Sequence, residues 1–278
     1  MGKITLHRIR QAPIFRKIAF GSWRTVGDPS VYGSLDIDVS AALNFLKSVN
    51  EKTTQKVSVS HLVAKALALA MKDRPEINGM IRCGGIFLRK DIDLFFQVNI
   101  PGKDKDSVKG ASLAGTVIRK VDQLTVIEIA EDLQKKSERL RAGEDQEFSQ
   151  ATAMFQRIPW WLSRWMLDAT SFLTYTLNLN LSFLGIPKDP FGSAMITNIG
   201  SFGIEQAWAP LVPYSRVPLL LTVGAVRSKP WVENETLCVR PILSIGVTFD
   251  HRFMDGVHAS VMAKKFKECF AEPEKYFL

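Results

Sequence analysis

The stretch of sequence that decides the fold is Leu243–Ser260, LSIGVTFDHRFMDGVHAS. Its first half is mostly apolar and predicts a buried strand, whereas from Gly256 the apolar residues take the spacing of a helix. The loop between strand and helix carries His251 and, four residues later, Asp255. A histidine at a strand end, with a carboxylate able to order its loop, suits general-base catalysis.

The pattern His-x-x-x-Asp-Gly, formed by His251, Asp255 and Gly256, is informative but not unique. It would occur by chance in roughly a few per cent of chains of this length. The alternative interpretation is a polar loop with an aspartate at a helix start, where Asp commonly accepts backbone hydrogen bonds. The remaining histidines of the chain are weaker candidates for a base, and they are His7, His61 and His258.

Length and composition narrow the class of protein. The chain has 278 residues, of which 46% are hydrophobic and 23% charged, so disordered and fibrous classes are excluded. Its three cysteines form no CxxC pair, and we therefore expect neither a disulfide framework nor a metal site. The N-terminus has no continuous apolar segment of a signal peptide, which makes the cytoplasm the expected location.

Positive charge is concentrated at the N-terminus. Residues 1–27 carry six Lys or Arg side chains and no acid, out of a net charge of +8. Such a basic segment suits an anionic membrane, nucleic acid, a phosphorylated ligand or a neighbouring subunit, or it is simply solvated. No RNA-binding aromatic motif, zinc finger or basic zipper is present, so a nucleic-acid partner is not expected.

Periodicity along the chain predicts a mixed α/β domain spanning residues 1–278. The predicted strands are Tyr32–Val39, Gly85–Leu88, Ile92–Ile100, Ala194–Thr197, Leu219–Val226, Leu237–Val239 and Leu243–Phe249. Helices are predicted over 40–50, 60–73, 122–142 and 256–270. The helix over 122–142 has the clearest signals, with acids early, Lys and Arg late, and Gly143 just past its end.

A Trp-rich segment at about 149–190 fits this pattern least well. It holds three of the six tryptophans, and no charged residue occurs over 169–187. Its Ser, Thr and Asn residues make it too polar for a membrane span, and alternation over 177–183 predicts a strand or extended segment. An interfacial helix around 157–168, a lid over an apolar substrate, an oligomer contact and ordinary core packing all remain open.

Several segments, in order along the chain, resemble the acyltransferase catalytic domains of 2-oxo acid dehydrogenase complexes. The most specific is VTFDHRFMDG, which resembles the C-terminal signature of that family. The others are ITLHRIRQAPIFRKIAF, KVSVSHLVAKALALAMKDRPEIN, VDQLTVIEIAEDLQKKSERLRAG, SAMITNIGSFG and PLLLTVGAVRSKP. The resemblance covers about residues 5–148 and 191–278, on both sides of the Trp-rich segment.

This resemblance implies a chloramphenicol acetyltransferase-like fold, a two-layer mixed sheet with flanking helices. It implies transfer of an acyl group between coenzyme A and a dihydrolipoyl-type thiol, or another nucleophilic acceptor, with no metal. His251 would be the general base, and Thr197 stands where the family has a serine that donates to the oxyanion. Asp255 would hold the histidine loop by pairing with Arg16, or less favourably with Lys17 or Arg10. Asn198 and Gly256 would shape the site.

The resemblance also implies a homotrimer, or an assembly of trimers, with the active site between subunits. Family chains carry lipoyl domains ahead of the catalytic domain, and 278 residues leave no room for them. We therefore expect a stand-alone catalytic domain, with any lipoyl group on a separate lipoyl-bearing or acyl-carrier partner. Peripheral membrane contact through 155–187 is a further expectation. The alternative hypothesis is a non-catalytic core or membrane-associated scaffold that kept the fold.

Overall fold

The computed structural model describes residues 5–8, 28–100, 112–144, 159–182, 186 and 188–278. The strands are β1 Leu6–Arg8, β2 Ser30–Asp38, β3 Gly79–Arg82, β4 Gly85–Arg89, β5 Leu94–Ile100, β6 Ser112–Ile118, β7 Ala194–Asn198, β8 Leu219–Val223, β9 Arg227–Glu233 and β10 Thr236–Asp250. The helices are α1 Ser40–Lys52, α2 Val59–Asp73, α3 Val126–Ala142, α4 Trp160–Ser171, α5 Gly256–Ala271 and α6 Pro273–Phe277.

The strands form two sheets, of which the larger positions the site. Its strand order is β2-β10-β8-β7-β5-β6, and β9 pairs with β10 beside this path. Strand β7 runs parallel to both β5 and β8, whereas the other pairs are antiparallel, so the sheet is mixed. A small sheet of order β1-β4-β3 lies apart from it. The predicted mixed α/β class with flanking helices is confirmed.

One face of the large sheet packs against helices. Helix α2 begins where Ser58 and His61 form a reciprocal cap, and its apolar stripe is buried along its length. Leu62 and Leu67 of this helix are completely buried, as is Phe270 of α5. The same core includes the alternate residues of β10 that point toward the helices. Burial of this continuous apolar face fixes the register of the sheet.

The opposite face of the sheet is covered by an irregular segment, residues 204–217. Met195, Val217 and Leu220 form a separate apolar cluster beneath it. A Cβ added at Gly246 would overlap the carbonyl oxygen of Ala207, so the segment lies directly on the strand. This close approach explains why the middle of β10 carries a glycine.

Helix α3 follows its sequence signals closely. Thr125 and Glu128 form a capping box at its start, and Gly143 adopts the left-handed conformation at its end (φ 71°). The sheet differs more from expectation. The runs predicted at 237–239 and 243–249 belong to one strand, β10, and strands β1, β3, β6 and β9 were not predicted. Strand β1 lies in a segment that the family resemblance had likened to a helix. In the other three strands, glycines, a proline and charged residues mask the alternation on which the prediction depends.

The Trp-rich segment contains helix α4, which continues into a single π-helical turn over Phe172–Thr176. Residues 177–181 are irregular and form no strand, so the extended strand expected there is not observed in the part described. The Leu177 N–H donates to the Phe172 carbonyl oxygen at 3.0 Å, which closes the turn instead. Among the described residues, no helix has both the length and the apolar character needed to cross a bilayer.

Candidate active site

His251 lies immediately after β10, in the turn that leads to α5. Its backbone N–H donates to the Pro29 carbonyl oxygen at 2.9 Å, and its Nδ1 lies 3.0 Å from the Met254 carbonyl oxygen. A carbonyl oxygen can only accept, so Nδ1 carries the proton and Nε2 holds the lone pair. The half-buried ring is therefore oriented with its basic nitrogen defined.

Backbone hydrogen bonds, buried side chains and an ion pair hold the turn that carries His251. The N–H groups of Phe253 and Met254 both donate to the Asp250 carbonyl oxygen at 2.9 Å, and both side chains are buried in the core. The Asp250 carboxylate accepts from the Arg252 backbone at 2.9 Å and from its guanidinium at 2.8 Å. Packing and hydrogen bonds thus fix the position of the histidine before any ligand binds.

Asp255 caps helix α5. Its Oδ1 accepts from the backbone N–H groups of Val257 at 3.0 Å and His258 at 3.2 Å, and lies 2.6 Å from His258 Nδ1. Arg16, the expected partner of Asp255, lies outside the described residues. A Cβ at Gly256 would meet no atom within 4 Å, so the supporting role expected of that glycine stays a prediction.

Thr197 lies near the end of β7, partly buried, opposite Thr222 of β8. By strand alternation it shares the face of Met195, away from the helix layer. Asn198 follows it and joins two elements: its Nδ2 donates to Ser60 Oγ at 2.8 Å, and its Oδ1 accepts from the Ser201 N–H at 3.0 Å. Asn198 thus ties the turn after β7 to helix α2, as a supporting residue would.

Sheet register places Thr197 and His251 far apart within one chain. Thr197 pairs with Thr222, and Thr222 pairs with Gly246 of β10. His251 follows Gly246 by five residues, which is about 16 Å along the strand, and β10 and β7 are two strand spacings, or about 10 Å, apart. These two side chains cannot contact one another within a single copy of the chain.

Sequence reasoning missed the two carbonyl oxygens that hold His251, those of Met254 and Pro29, and the contact between the His258 imidazole and Asp255. The spacing Asp255-x-x-His258 at a helix start carried a usable signal, because residues three apart share a helix face. Backbone carbonyls carry no such signal. Their role depends on the tight turn after β10.

A sequence model of the family described as 2-oxoacid dehydrogenases acyltransferase (catalytic domain) matches residues 5–154 and 191–278. The unmatched stretch 155–190 contains α4. The acetyltransferase component of the pyruvate dehydrogenase complex of Zymomonas mobilis is 22% identical over 250 residues, covering 88% of this chain and 45% of that protein. The mitochondrial succinyltransferase component of the 2-oxoglutarate dehydrogenase complex of Saccharomyces cerevisiae is 25% identical over 247 residues, covering 87% and 42%. The chain thus spans less than half of either relative.

Solved structures show the same fold. Dihydrolipoamide acetyltransferase of Azotobacter vinelandii superposes with a TM-score of 0.65 at 21% identity, covering 97% of this chain and 94% of that one. Chloramphenicol acetyltransferase superposes with a TM-score of 0.52 at 15% identity, covering 95% and 99%. The chloramphenicol acetyltransferase-like fold expected from the sequence is confirmed.

Proposed function

The chain belongs to the family of 2-oxo acid dehydrogenase acyltransferase catalytic domains, and from this membership we propose that it transfers an acyl group between coenzyme A and a thiol of the dihydrolipoyl type. The observation that carries the proposal is the fixed His251 ring in the loop of the family signature, with Nδ1 held by the Met254 carbonyl oxygen. Nε2 is then the nitrogen that accepts the proton of the thiol.

The reaction requires a balanced transfer of one proton and one acyl group. His251 Nε2 removes the proton from the attacking thiol, and the resulting thiolate adds to the thioester carbonyl carbon. The tetrahedral intermediate carries an oxyanion, to which the Thr197 hydroxyl donates. Collapse breaks the original carbon–sulfur bond, and the departing thiolate takes the proton back from the imidazolium. No metal or redox partner enters this sequence.

Asp255 acts indirectly in this proposal. Its carboxylate caps α5 and contacts His258. Asp255 also ends the turn that carries His251. A stable helix start fixes where the loop returns to the core, so Asp255 is a positioning residue for the base.

Two copies of the chain complete one site in this proposal. The separation of about 16 Å along the sheet between the levels of His251 and Thr197 requires the oxyanion donor to come from another copy. A closed cyclic arrangement supplies every His251 with a Thr197 from its neighbour, since each interface is then equivalent. We propose a trimer, or an assembly of trimers, as the resemblance to the family implies.

The acceptor in this proposal is a dihydrolipoyl group carried by a separate protein. The relatives in Zymomonas mobilis and Saccharomyces cerevisiae are named as components that act on dihydrolipoyllysine residues. An acyl-carrier protein that presents another thiol is the alternative partner.

The test is a thioester assay with the purified chain, a panel of acyl-CoA donors, and dihydrolipoamide or a dihydrolipoyl domain as acceptor. We expect CoA release that depends on the acceptor and falls at least about a hundredfold in His251→Ala. His7→Ala is the matched control, since His7 is exposed on β1. Transfer to small or lipid acceptors alone would overturn the dihydrolipoyl assignment. Undiminished transfer in His251→Ala would exclude His251 as the base, whereas no transfer from any donor would favour the non-catalytic scaffold.

A second proposal concerns the outer face of α4, which we propose rests on an anionic membrane surface. The side chains of Trp161, Trp165 and Phe172 follow helical spacing and are 63%, 70% and 50% exposed. Arg164, between the two tryptophans in sequence, is exposed and lies 3.9 Å from the Asp168 carboxylate. Exposed tryptophans beside such a side chain suit the interface between headgroups and acyl chains.

Co-sedimentation with vesicles of phosphatidylglycerol and phosphatidylcholine tests this contact. We expect the double variant Trp161→Ser/Trp165→Ser to lose vesicle binding, while Val232→Ser, which removes an exposed apolar side chain on β9, keeps it. Equal sedimentation of all three proteins would contradict the proposal, and a change in oligomer size in the tryptophan variant would indicate a contact between copies instead.

A further inference from the structure

A cavity of about 290 Å³ lies where the end of the Trp-rich segment meets β4, β5 and β6. Most of its lining residues are charged, and five of them are cationic. The lining residues are Thr5, Arg89, Lys90, Asp91, Asp93, Arg119, Lys120, Lys188 and Asp189. Together they carry two net positive charges, which favours an anionic ligand.

The wall of this cavity is built around a buried ion pair. The Arg89 and Asp189 side chains are only 4% and 6% exposed, and the Arg89 guanidinium contacts both carboxylate oxygens of Asp189, one of them at 3.1 Å. Arg89 Nε is buried and has no hydrogen-bond partner among the residues described. Because Nε is enclosed by protein atoms, it is not a contact for a ligand in the cavity, and the ion pair acts by fixing the shape of the wall.

A second pair fixes the other wall. Arg119 donates to the Asp93 carboxylate and to the Lys188 carbonyl oxygen, both at 2.8 Å. Asp93 also accepts from the Lys120 backbone N–H at 2.9 Å. Two of the three carboxylates at the cavity are therefore already neutralised by arginines.

The remaining cations are three lysines at the rim. Lys90, Lys120 and Lys188 are exposed, and within the described ranges none of their ammonium groups has an ion-pair partner. Among the described lining residues, Asp91 is the one carboxylate that has no arginine partner. Three ammonium groups around one cavity match the charge and the acceptor oxygens of a phosphate group.

The cavity depends on the segment that distinguishes this chain from its family. Lys188 and Asp189 belong to the stretch 155–190, which the family model does not match. Tyr175 of the same stretch is buried near the ion pair, and burial raises the pKa of its hydroxyl. The segment therefore contributes both a rim cation and the carboxylate that orients Arg89.

The cavity opens at the end of the sheet that carries His251. The Ser193 N–H donates to the Asp93 carbonyl oxygen at the start of β5 and β7, and the Asp250 N–H donates to Pro218 at the start of β8. Asp93 and Asp250 are thus at the same level of the sheet, three strand spacings or about 14 Å apart. An extended pantetheine arm has a length of this order.

We propose that this cavity binds the phosphate groups of a phosphorylated ligand. The ligand is coenzyme A, with its thiol directed to His251, or a separate phosphate compound that shares the same chemistry. The first identity rests on the proposed acyl transfer, whereas phosphate binding itself does not.

The test measures binding of inorganic pyrophosphate, coenzyme A and dephospho-coenzyme A to the full chain by calorimetry. The variant Lys90→Ala/Lys120→Ala/Lys188→Ala removes the rim cations, all exposed, and Lys135→Ala on the solvent side of α3 is its control. We expect the triple variant to weaken pyrophosphate binding at least about tenfold, with a smaller loss in added salt.

The outcomes separate the two sources of phosphate. A parallel loss for coenzyme A supports coenzyme A as the ligand. A smaller loss for dephospho-coenzyme A, which lacks the 3′-phosphate, would place the 3′-phosphate of coenzyme A in the cavity. Unchanged coenzyme A binding, with pyrophosphate binding lost, assigns the cavity to a separate phosphate compound. Pyrophosphate binding that is absent, or equal in the triple variant and in Lys135→Ala, overturns the proposal even where acyl transfer is observed.

Discussion

Asp255 Oδ1 lies 2.6 Å from His258 Nδ1, and the same oxygen accepts the two backbone hydrogen bonds that cap helix α5. One carboxylate thus supports both the helix start and a histidine side chain next to the loop of His251. The loop position and helix stability are therefore coupled through this residue.

Replacing Asp255 separates these roles. We expect Asp255→Ala to cost about 1 kcal/mol of stability through the lost cap and to lower kcat about tenfold with little change in KM, because the base is displaced. Asp255→Asn keeps the acceptor oxygen and restores most of kcat. Steady-state kinetics and thermal unfolding of both variants check this. A stability loss in Asp255→Ala with kcat intact would reduce Asp255 to a cap.

The hydroxyl of Thr197 is the group expected to stabilise the oxyanion. Thr197→Val removes that donor at nearly constant shape, so we expect kcat to fall about 10²- to 10³-fold, while Thr197→Ser retains activity. Thermal unfolding of both variants serves as the control for folding. Full activity in Thr197→Val would exclude the residue from catalysis.

The separation of Thr197 from His251 predicts complementation between inactive variants. Chains with His251→Ala supply an intact Thr197, and chains with Thr197→Val supply an intact His251. After co-refolding at equal amounts, random mixing in a cyclic assembly restores roughly a quarter of the sites. CoA release is measured before and after mixing. A mixture no more active than its components would indicate a site within one chain.

The buried pair of Arg89 and Asp189 anchors the Trp-rich segment to β4. Arg89→Met leaves a buried carboxylate without its partner, and we expect a loss of about 3–5 kcal/mol in the free energy of unfolding. The control is Arg164→Met, which breaks an exposed pair with Asp168 and should cost less than about 1 kcal/mol. Urea denaturation measures both. Equal stability of the two variants would contradict an anchoring role.

His61 predicts a dependence of stability on pH. Burial lowers the pKa of its imidazole from 6.5 to about 4, so the folded chain keeps it neutral where the unfolded chain is protonated. The unfolded state then binds more protons between pH 6.5 and 4, and stability falls as pH decreases through this window, by about 1.4 kcal/mol per unit.

The variant His61→Asn tests this origin. An asparagine oxygen can replace Nδ1 as acceptor of the Ser58 N–H, which lies 3.0 Å away, but it does not titrate. We expect the free energy of unfolding of His61→Asn to be nearly independent of pH between pH 6.5 and 4.5. A slope equal to that of the unmodified chain would assign the pH dependence to other groups.

The sequence predicts an element correctly where residues within that element determine its structure. Helix α3 is predicted over 122–142 from its early acids, its late Lys and Arg residues and Gly143, and in the structure it begins at Val126, after the cap of Thr125. The strand and helix around His251 are equally local. Strand β9 was missed because its residues, RSKPWVE, are largely polar and include a proline, and its pairing with β10 is what makes it a strand.

The site depends on information that no local pattern contains. The loop pattern identifies His251 as a candidate and the resemblance to the family adds Thr197, but their distance follows from the register of three strands. The strand expected over 177–183 fails for a related reason. Its alternation suggested a sheet, whereas the chain there packs beside Arg82, whose Nε donates to the Thr176 carbonyl oxygen at 3.0 Å, and completes a π-helical turn.

The register that separates Thr197 from His251 also ties the proposed activity to protein concentration. When base and oxyanion donor belong to different chains, dissociation separates the two in every site at once, without unfolding any chain. Mass action then governs catalysis, and the specific activity per chain falls on dilution through the dissociation constant of the assembly. Abundance of the protein, and anything that strengthens or weakens contacts between copies, would set its rate as directly as the supply of acyl donor.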